Sequence, residues 1–375
     1  MISISAEPAF VLSRPYRTVC AWGAGRVFRS ASAAAAALRD GEVTHIVGAL
    51  PFDPGAPAAL WAPRSVTVRD TDLRPTAPLA PPTFEFTAAV PEPQTHLRRV
   101  AHAVRLLADP AHPLRKVVLA RTIRARSAAP VRPCDILEQL VATDPMGNGF
   151  LVDLSAAGAP YTGRHLVGSS PEVLVRRDGS EVLSHPLAGS ARRILGDEQA
   201  DRAVAAALLA SAKDRHEHGY VVDQVCGVLR DRCAEVHTPA AELTSTPEMW
   251  HIGTPITATV RADGPSALEL AAALHPTPAI CGTPTADAAR LIAELEGDRG
   301  FYAGAIGWCD ARGDGEWMVS IRCAELSADR RDLLAHAGGG IVAESDPAAE
   351  LAETTGKFGR ILRSLGIAEV PTAVA

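Results

Sequence analysis

The sequence lacks any segment suited to export or to membrane insertion. Its first residues, MISISAEPAF, do not place a basic stretch before an apolar one, as a secretory signal does. The chain also contains no run of about 18 apolar residues, the length that a membrane-spanning helix needs. We therefore expect a cytoplasmic protein without membrane contact.

The seven cysteines are scattered and form no CxxC pair. An odd number of cysteines in a chain without an export signal predicts reduced thiols rather than disulfides. Cys226 and Cys233 share one face of a predicted helix. We interpret them as small core residues rather than as a metal or redox site.

Neither the charge nor the common cofactor motifs indicate nucleotides or nucleic acids. The net charge of −6 gives no reason to expect a nucleic acid or an anionic membrane as partner. The chain has no Walker A motif, no GxGxxG leading from a strand into a helix, and no GxSxG elbow. Nucleotide-cofactor and serine-hydrolase functions therefore lack support.

What the sequence does contain is runs of strands separated by helices. A helix is predicted over residues 31–39, and the proline-dense stretch 51–93 favours extended structure. A long helical stretch with a break near Ser211 follows a first block of strands, and another helix begins near Pro347. Strand-like runs begin at Lys116, Gly149, His165, Glu181, Trp250, Phe301, Trp317 and Leu333. This order predicts an α+β fold with largely antiparallel sheets.

Two helical stretches carry acidic residues at the spacing of neighbours on one helix face. Asp214 and Glu217 are three residues apart, as are Glu350 and Glu353. Asp214 could instead belong to a capping box, and Glu353 could form an ordinary surface pair with Lys357. The two histidines of the DRHEH run point to different faces, so the run is not an HExxH zinc motif.

Three other features carry little information singly. Lys116 could be an ordinary edge lysine, and Glu172 in SSPEV could be a solvated turn residue. The triple glycine that starts at Gly338 could be a tight turn, although such a run also lets backbone amides approach an anion closely.

Taken together, these stretches resemble the chorismate-utilising enzymes, a family that includes isochorismate, salicylate, anthranilate and aminodeoxychorismate synthases. The resemblance covers about residues 114–365 in order. The matching segments are KVVLAR at Lys116, GSSPEVLV at Gly168, HPLAGSARR at His185, SAKDRHEH at Ser211, MWHIGTPI at Met249, LHPTPAICGTP at Leu274, RGFYAGAIGWCD at Arg299, SIRCAEL at Ser320, HAGGGIV at His336 and ESDPAAELAETTGK at Glu344.

The resemblance implies a single unit of two stacked, mainly antiparallel β-sheets flanked by helices, with the active site in the cleft between its halves. Residues 1–110 would be a variable part of the same fold, residues 111–368 the chorismate-binding catalytic core, and residues 369–375 a tail. No partner subunit is implied, so we expect a monomer.

The resemblance also assigns catalytic roles. Lys116 matches the family's general base, which would deprotonate a water that attacks C2 of the chorismate ring. Glu172 matches the general acid, which would protonate the departing C4 hydroxyl on the opposite face. An acid must keep its proton near neutral pH, so we expect a raised pKa for Glu172. His251 matches a histidine near the ring that either transfers a proton or only orients its neighbours.

A Mg²⁺ cofactor is implied by the same resemblance. Glu217 and Glu353 match the metal carboxylates, with Asp214 and Glu350 supporting the ion through water. Mg²⁺ prefers hard oxygen ligands and keeps several waters, which suits two glutamates and a substrate carboxylate. Asp214 stands where some relatives have glutamate, and its shorter side chain disfavours direct ligation.

The remaining matches concern the substrate. The carboxylate of the enolpyruvyl arm is expected to meet Tyr302, Arg322 and the amides around Gly338 and Gly340, with Lys357 nearby. An arginine fork suits a carboxylate. The other residues implied as substrate-binding are Ala188, Gly189, Ser190, Ala279 and Ile280.

Within the family, the residues favour the isochorismate synthase branch. Ala188 stands where aminodeoxychorismate synthases place a nucleophilic lysine, and no glutaminase partner is expected because PLAGS differs from the PIAGT of anthranilate synthases. Salicylate synthases, which also eliminate pyruvate, typically have threonine at the position of Ala279. Tyr302 is compatible with that branch, which stays an alternative, as does an inactive chorismate-binding member. The compact length favours enzymes that supply 2,3-dihydroxybenzoate for siderophores.

Overall fold

The computed structural model describes residues 7–75 and 80–367, and they form strands and helices in successive runs. The tail predicted for residues 369–375 lies outside the described residues. The strands are β1 (Phe10–Arg14), β2 (Arg17–Phe28), β3 (His45–Leu50), β4 (Ala59–Arg69), β5 (Glu85–Val90), β6 (Lys116–Arg126), β7 (Gly149–Asp153), β8 (His165–Gly168), β9 (Val173–Asp178), β10 (Glu181–His185), β11 (Leu187–Arg192), β12 (Glu235–His237), β13 (Glu242–Ser245), β14 (Met249–Gly253), β15 (Ile256–Thr259), β16 (Gly282–Thr283), β17 (Ala305–Asp310), β18 (Gly315–Val319), β19 (Cys323–Leu326) and β20 (Asp332–Ile341). The helices are α1 (Ala31–Arg39), α2 (Pro93–Leu107), α3 (Pro133–Thr143), α4 (Glu198–Ala210), α5 (Ala212–Arg232), α6 (Ala267–Leu274), α7 (Thr285–Glu296) and α8 (Pro347–Ser364).

The sheets are antiparallel at every strand pairing in the described part of the chain. Most strands join one extended hydrogen-bonded network, whereas β11, β14 and β13 form a separate three-stranded sheet. Helices cover these sheets. The predicted α+β class with mainly antiparallel sheets is therefore confirmed.

The pairing of β6 with β20 forms the floor of the cleft in which the predicted site residues gather. Ten residue pairs are in register, from Arg126 opposite Asp332 to Val117 opposite Ile341. The first six residues of β6 are all buried. The strand therefore carries the ammonium of its first residue, Lys116, into the interior of the protein.

The N-terminal strands hydrogen-bond to strands of the expected core. Phe10 of β1 lies opposite Val152 of β7, and Ala49 of β3 lies opposite Ile306 of β17. The proline-dense stretch 51–93 supplies β4 and β5, as its composition predicted. The boundary at residue 110 stays a prediction.

Ser211 ends α4 and caps α5, which confirms the predicted break. Its hydroxyl accepts a hydrogen bond from Asp214 N at 3.2 Å. The reciprocal bond of a capping box is not formed within the described residues, because Ser211 N donates to Leu208 O instead. The Asp214 carboxylate is therefore not required for the cap.

The last helix begins where the sequence predicted. The Asp346 side chain accepts a hydrogen bond from Ala349 N at 2.8 Å, and Pro347 occupies the first turn. The helix packs along β20. This packing brings the acidic face of α8 over the glycine residues of that strand.

All seven cysteines are free thiols, and Cys226 is buried whereas Cys233 is partly exposed. Across residues 7–75 and 80–367, no helix combines the length and the apolar character that crossing a membrane requires.

Candidate active site

Most of the predicted site residues gather in one cleft. Its empty space amounts to about 690 Å³, with the open solvent at its mouth included. The predicted residues that line it are Glu172, Ala188, Gly189, Ser190, Glu217, His251, Ala279, Ile280, Tyr302, Arg322, Gly338, Gly340, Glu353 and Lys357. Lys116, Asp214 and Glu350 lie outside the lining.

Lys116 lies directly behind this lining, with a fully buried side chain. Its Nζ is 3.0 Å from Oε1 of Glu217 on α5, in an ion pair without hydrogen-bond alignment. A Cβ added to Gly340 would lie 3.1 Å from Lys116 Cε. The lysine side chain therefore passes beside the glycine strand, by which we mean Gly338–Gly340 of β20. Its ammonium ends next to the Glu217 carboxylate of the cleft.

Glu172 occupies the loop between β8 and β9 and is only 3% exposed. Its Oε1 accepts one long hydrogen bond, 3.4 Å from Leu187 N. Burial raises the pKa of Glu172 to about 7, and the Leu187 N–H and the charges of Lys116 and Arg322 oppose this only in part. The raised pKa predicted from the sequence is confirmed. The carboxyl group can hold a proton near neutral pH, as a general acid must.

Turnover should therefore decline at alkaline pH. The acid form of Glu172 decreases about tenfold for each pH unit above its pKa of about 7. We expect kcat at saturating substrate and metal to approach that slope. A kcat that stays level through the mildly alkaline range would exclude Glu172 as the proton donor.

Arg322 is a buried cation without a carboxylate partner. Among the described residues no carboxylate oxygen lies within 4.0 Å of its guanidinium, whose Nη2 is 3.3 Å from His251 Nε2. Burial lowers the pKa of Arg322 to about 10, so the group stays charged at neutral pH. Its φ of +52° lies in the left-handed region, which costs a non-glycine residue about 1–2 kcal/mol. A buried, strained and unpaired cation at a cleft is suited to bind an anion.

The histidine beside it orients this cation. His251 is buried, and burial together with the Arg322 charge lowers its pKa well below the usual value. Because a guanidinium only donates, Nε2 of His251 is the acceptor and the ring proton resides on Nδ1. The geometry favours the orienting role over proton transfer at Nε2.

Tyr302 closes the same end of the cleft. Its ring stacks on His336, with centroids 4.7 Å apart and planes inclined by 13°. A Cβ on Gly338 would lie 2.9 Å from its hydroxyl oxygen. The hydroxyl therefore lies beside the glycine strand, where the substrate carboxylate is expected.

Three glutamates crowd this strand. A Cβ on Gly340 would lie 2.1 Å from Glu217 Oε1. A Cβ on Gly339 would lie 3.1 Å from Glu350 Oε2 and 3.6 Å from Glu353 Oε1. Glycine is needed here because a side chain would take the space of the carboxylates.

The two carboxylates of α8 have different partners. Glu353 Oε1 accepts hydrogen bonds from Lys357 Nζ at 2.6 Å and Ser190 Oγ at 2.9 Å. Glu350 Oε1 accepts from Ser345 Oγ at 2.7 Å and Lys213 Nζ at 3.0 Å, whereas its buried Oε2 has no partner among the described residues. Burial and the Glu353 charge raise the pKa of Glu350. Against burial, the Lys357 ammonium lowers the pKa of Glu353.

These carboxylates fit a Mg²⁺ ion that keeps much of its water. In the described part of the chain, no three histidine, cysteine or acidic side chains converge as ligands of one ion. Mg²⁺, however, needs only one or two protein carboxylates and completes its shell with water and substrate oxygens. Glu217 and Glu353 face the cleft, and the unpartnered Oε2 of Glu350 lies behind them. Asp214 is half-buried outside the lining, which leaves it no direct contact with the cleft.

Alanine at Gly340 should inactivate the protein with little loss of stability. The new Cβ would displace the flexible end of Glu217 and disturb its pair with Lys116. A displacement of about 1 Å in a catalytic group lowers turnover by roughly 10²-fold. We expect that loss in kcat/KM with a melting temperature close to that of the wild type. Gly219→Ala, at a helical position with no atom near the added Cβ, is the control and should keep full turnover.

Arg299 is a buried residue of the site that the sequence patterns did not single out. It donates to Val118 O and Ile280 O at 2.8 and 2.9 Å and pairs with Glu296 at 2.8 Å. It thereby ties β6 to the loop that carries Ile280. Its place within the matching RGFYAG segment was the available signal, but its partners are distant in sequence.

The comparisons with known proteins agree with the fold. Residues 60–366 match the family described as Chorismate binding enzyme. Because this match spans most of the chain, the protein belongs to the chorismate-binding enzyme family. The resemblance inferred from the ordered motifs is confirmed.

Several relatives match over nearly their whole length. The chain is 51% identical to MenF of Mycobacterium tuberculosis over 367 residues, which is 97% of this chain and 98% of that protein. It is 39% identical to Isochorismate synthase DhbC of Bacillus subtilis, over 96% of this chain and 94% of that protein. The crystal structure of DhbC from Bacillus anthracis superposes with a TM-score of 0.88 at 36% identity, covering 96% and 97% of the two chains.

Proposed function

We propose that this protein interconverts chorismate and isochorismate with the help of Mg²⁺. Water adds at C2 of the ring and the C4 hydroxyl leaves, so that the atoms balance without a co-reactant. The observation that carries the proposal is a buried lysine directly behind the cleft and a buried glutamic acid with a raised pKa in its lining, beside a guanidinium that has no carboxylate partner among the described residues. Similarity to the isochorismate synthases DhbC of Bacillus subtilis and EntC of Escherichia coli supports it.

Different residues would act on the attacking water and on the departing hydroxyl. Lys116 would take a proton from the attacking water, and Glu172 would give its proton to the departing hydroxyl. An acid and a base held apart in a pocket can act on opposite faces of one ring without neutralising each other. His251 would keep the Arg322 guanidinium in place through its 3.3 Å contact.

The two substrate carboxylates would bind at different places. Arg322, Tyr302 and the amides of the glycine strand would hold the carboxylate of the enolpyruvyl arm. Glu217 and Glu353 would hold Mg²⁺, which when bound would neutralise the ring carboxylate. Ala188 and Ala279 leave room for the ring and offer no nucleophile.

Salicylate formation is the alternative within the family. It would require pyruvate elimination from isochorismate in the same cleft. The buried Tyr302 beside Gly338 is the feature compatible with it. We propose that the lyase reaction is minor because Ala279 replaces the threonine typical of that branch.

The product is proposed to enter aryl-acid synthesis, with 2,3-dihydroxybenzoate for siderophores as the preferred use. The compact length supports this, as does the similarity to DhbC of Bacillus anthracis, which is described as 2,3-dihydroxybenzoate-specific. Menaquinone synthesis stays the competing assignment.

The deciding experiment is incubation with chorismate and Mg²⁺, followed by chromatography of the products. We expect a chorismate–isochorismate mixture with little pyruvate, lost on addition of EDTA and in Lys116→Ala. Salicylate with an equal amount of pyruvate would establish the alternative. Unchanged chorismate that is nevertheless bound would identify an inactive binding protein.

A further inference from the structure

The three lysines of this chain have an unusual distribution. The chain has 37 lysine and arginine residues, and all but three are arginine. Each lysine forms an ion pair with a different glutamate at the proposed metal site. The pairs are Lys116 with Glu217 at 3.0 Å, Lys213 with Glu350 at 3.0 Å, and Lys357 with Glu353 at 2.6 Å.

Lysine and arginine hold a carboxylate differently. The planar arginine guanidinium can donate from two nitrogens to both oxygens of one carboxylate. A lysine ammonium is a point charge on a flexible stem. Lys213 occupies only Oε1 of Glu350 and leaves the buried Oε2 without a partner in the described part of the chain. Lysine therefore neutralises this carboxylate while one of its oxygens stays available.

The three lysine side chains also differ in their exposure to solvent. The side chains of Lys213 and Lys357 are 31% and 14% exposed, so each can move toward solvent. Lys116 is fully buried and has no such path. Without these ammonium groups, the buried Glu350 and the partly buried Glu353 would lie beside each other as uncompensated like charges, which is costly away from water.

We infer that the three lysines are internal counter-ions of the metal-free protein, and that Lys213 and Lys357 withdraw from their glutamates when a divalent cation binds. The inference rests on the metal site of the proposed function. It explains why the protein can hold three glutamates together before any cation arrives. It also explains why arginine, so frequent elsewhere, is absent from these positions.

Cation affinity of the substrate-free, full-length protein tests the inference. Mn²⁺ accepts the same hard oxygen ligands as Mg²⁺, and its free concentration can be followed by electron paramagnetic resonance. We expect Lys213→Met and Lys357→Met to bind Mn²⁺ about tenfold more tightly than the wild type, because a competing charged hydrogen bond is gone. Lys213→Arg should bind about tenfold more weakly, since a fork would also take the free Oε2 of Glu350.

Thermal stability gives a second readout. The two methionine variants should melt at lower temperature without metal and gain more from saturating Mg²⁺ than the wild type does. Arg126→Met, which removes an exposed ion pair elsewhere, is the matched control and should leave Mn²⁺ affinity unchanged.

Unchanged or weaker Mn²⁺ binding in both methionine variants would overturn the inference, because the lysines would then be fixed partners that stay in place. Absence of Mn²⁺ binding in every variant would overturn it as well. Neither result depends on turnover, which the product assay decides separately.

Discussion

Replacing Glu172 by glutamine should abolish turnover and at the same time stabilise the folded protein at alkaline pH. Glutamine keeps the size of the side chain and the oxygen that accepts from Leu187 N. It cannot deliver a proton to the departing hydroxyl, and loss of general acid catalysis lowers rates by about 10²–10⁴-fold. The product assay should therefore show almost no isochorismate.

The gain in stability follows from the raised pKa of Glu172. The usual pKa of 4.5 applies in the unfolded chain, and burial raises it to about 7 in the folded protein. Ionisation therefore favours unfolding as pH rises from 4.5 to 7, and the full penalty, roughly 3 kcal/mol, is present above pH 7. Glutamine has no such penalty.

Unfolding should be followed in denaturant at acidic, neutral and alkaline pH. The stability difference between Glu172→Gln and the wild type should be smallest in acid and largest in the alkaline series. A difference that does not change with pH would show that the pKa of Glu172 is the same in the folded and the unfolded protein. Turnover within tenfold of the wild type would remove it from the mechanism.

Replacing Arg322 by glycine should weaken chorismate binding by about 10²-fold or more, because a buried carboxylate would lose its charged partner. The loss should appear mainly in KM. The backbone should tolerate the change, since glycine adopts the φ of +52° without steric cost. A KM close to that of the wild type would mean that the guanidinium does not contact the substrate.

Arg322→Ala is the matched variant for this test. It also removes the guanidinium, so its KM should rise to the same degree. It retains the left-handed strain, so it should be less stable than the glycine variant by about 1–2 kcal/mol. Equal stability of the two variants would show that the backbone at position 322 is not strained.

Local sequence patterns predicted the elements that have a clear period or clear ends. The β-branched run at Lys116 became β6, and the proline near the start of α8 marked its first turn. They missed α6, because Ala267–Leu274 is buried on most sides and has no polar face to give a helical period. They also missed α2, whose first residue, Pro93, ends a proline-dense stretch.

The same distinction holds for the candidate site, where some residues follow from local sequence patterns and others do not. The acidic pairs on α5 and α8 were visible from spacing and the glycine run of β20 from composition, whereas the other residues acquired a role only through the family resemblance. The contact of Arg322 with His251, and those of Arg299 with Val118 and Ile280, join residues far apart in the chain. Spacing cannot report such contacts, so the strain at Arg322 and the orienting role of His251 became visible only in three dimensions.

The register between β6 and β20 has a consequence for synthesis on the ribosome. Val117 pairs with Ile341, and α8 follows directly afterwards. Because β6 ends at Arg126 and β20 ends at Ile341, β6 is synthesised roughly 200 residues ahead of the complete glycine strand and of the α8 carboxylates. Closing so long a loop is entropically costly and slow compared with local folding. A nascent chain that still lacks β20 and α8 should therefore be unable to capture chorismate.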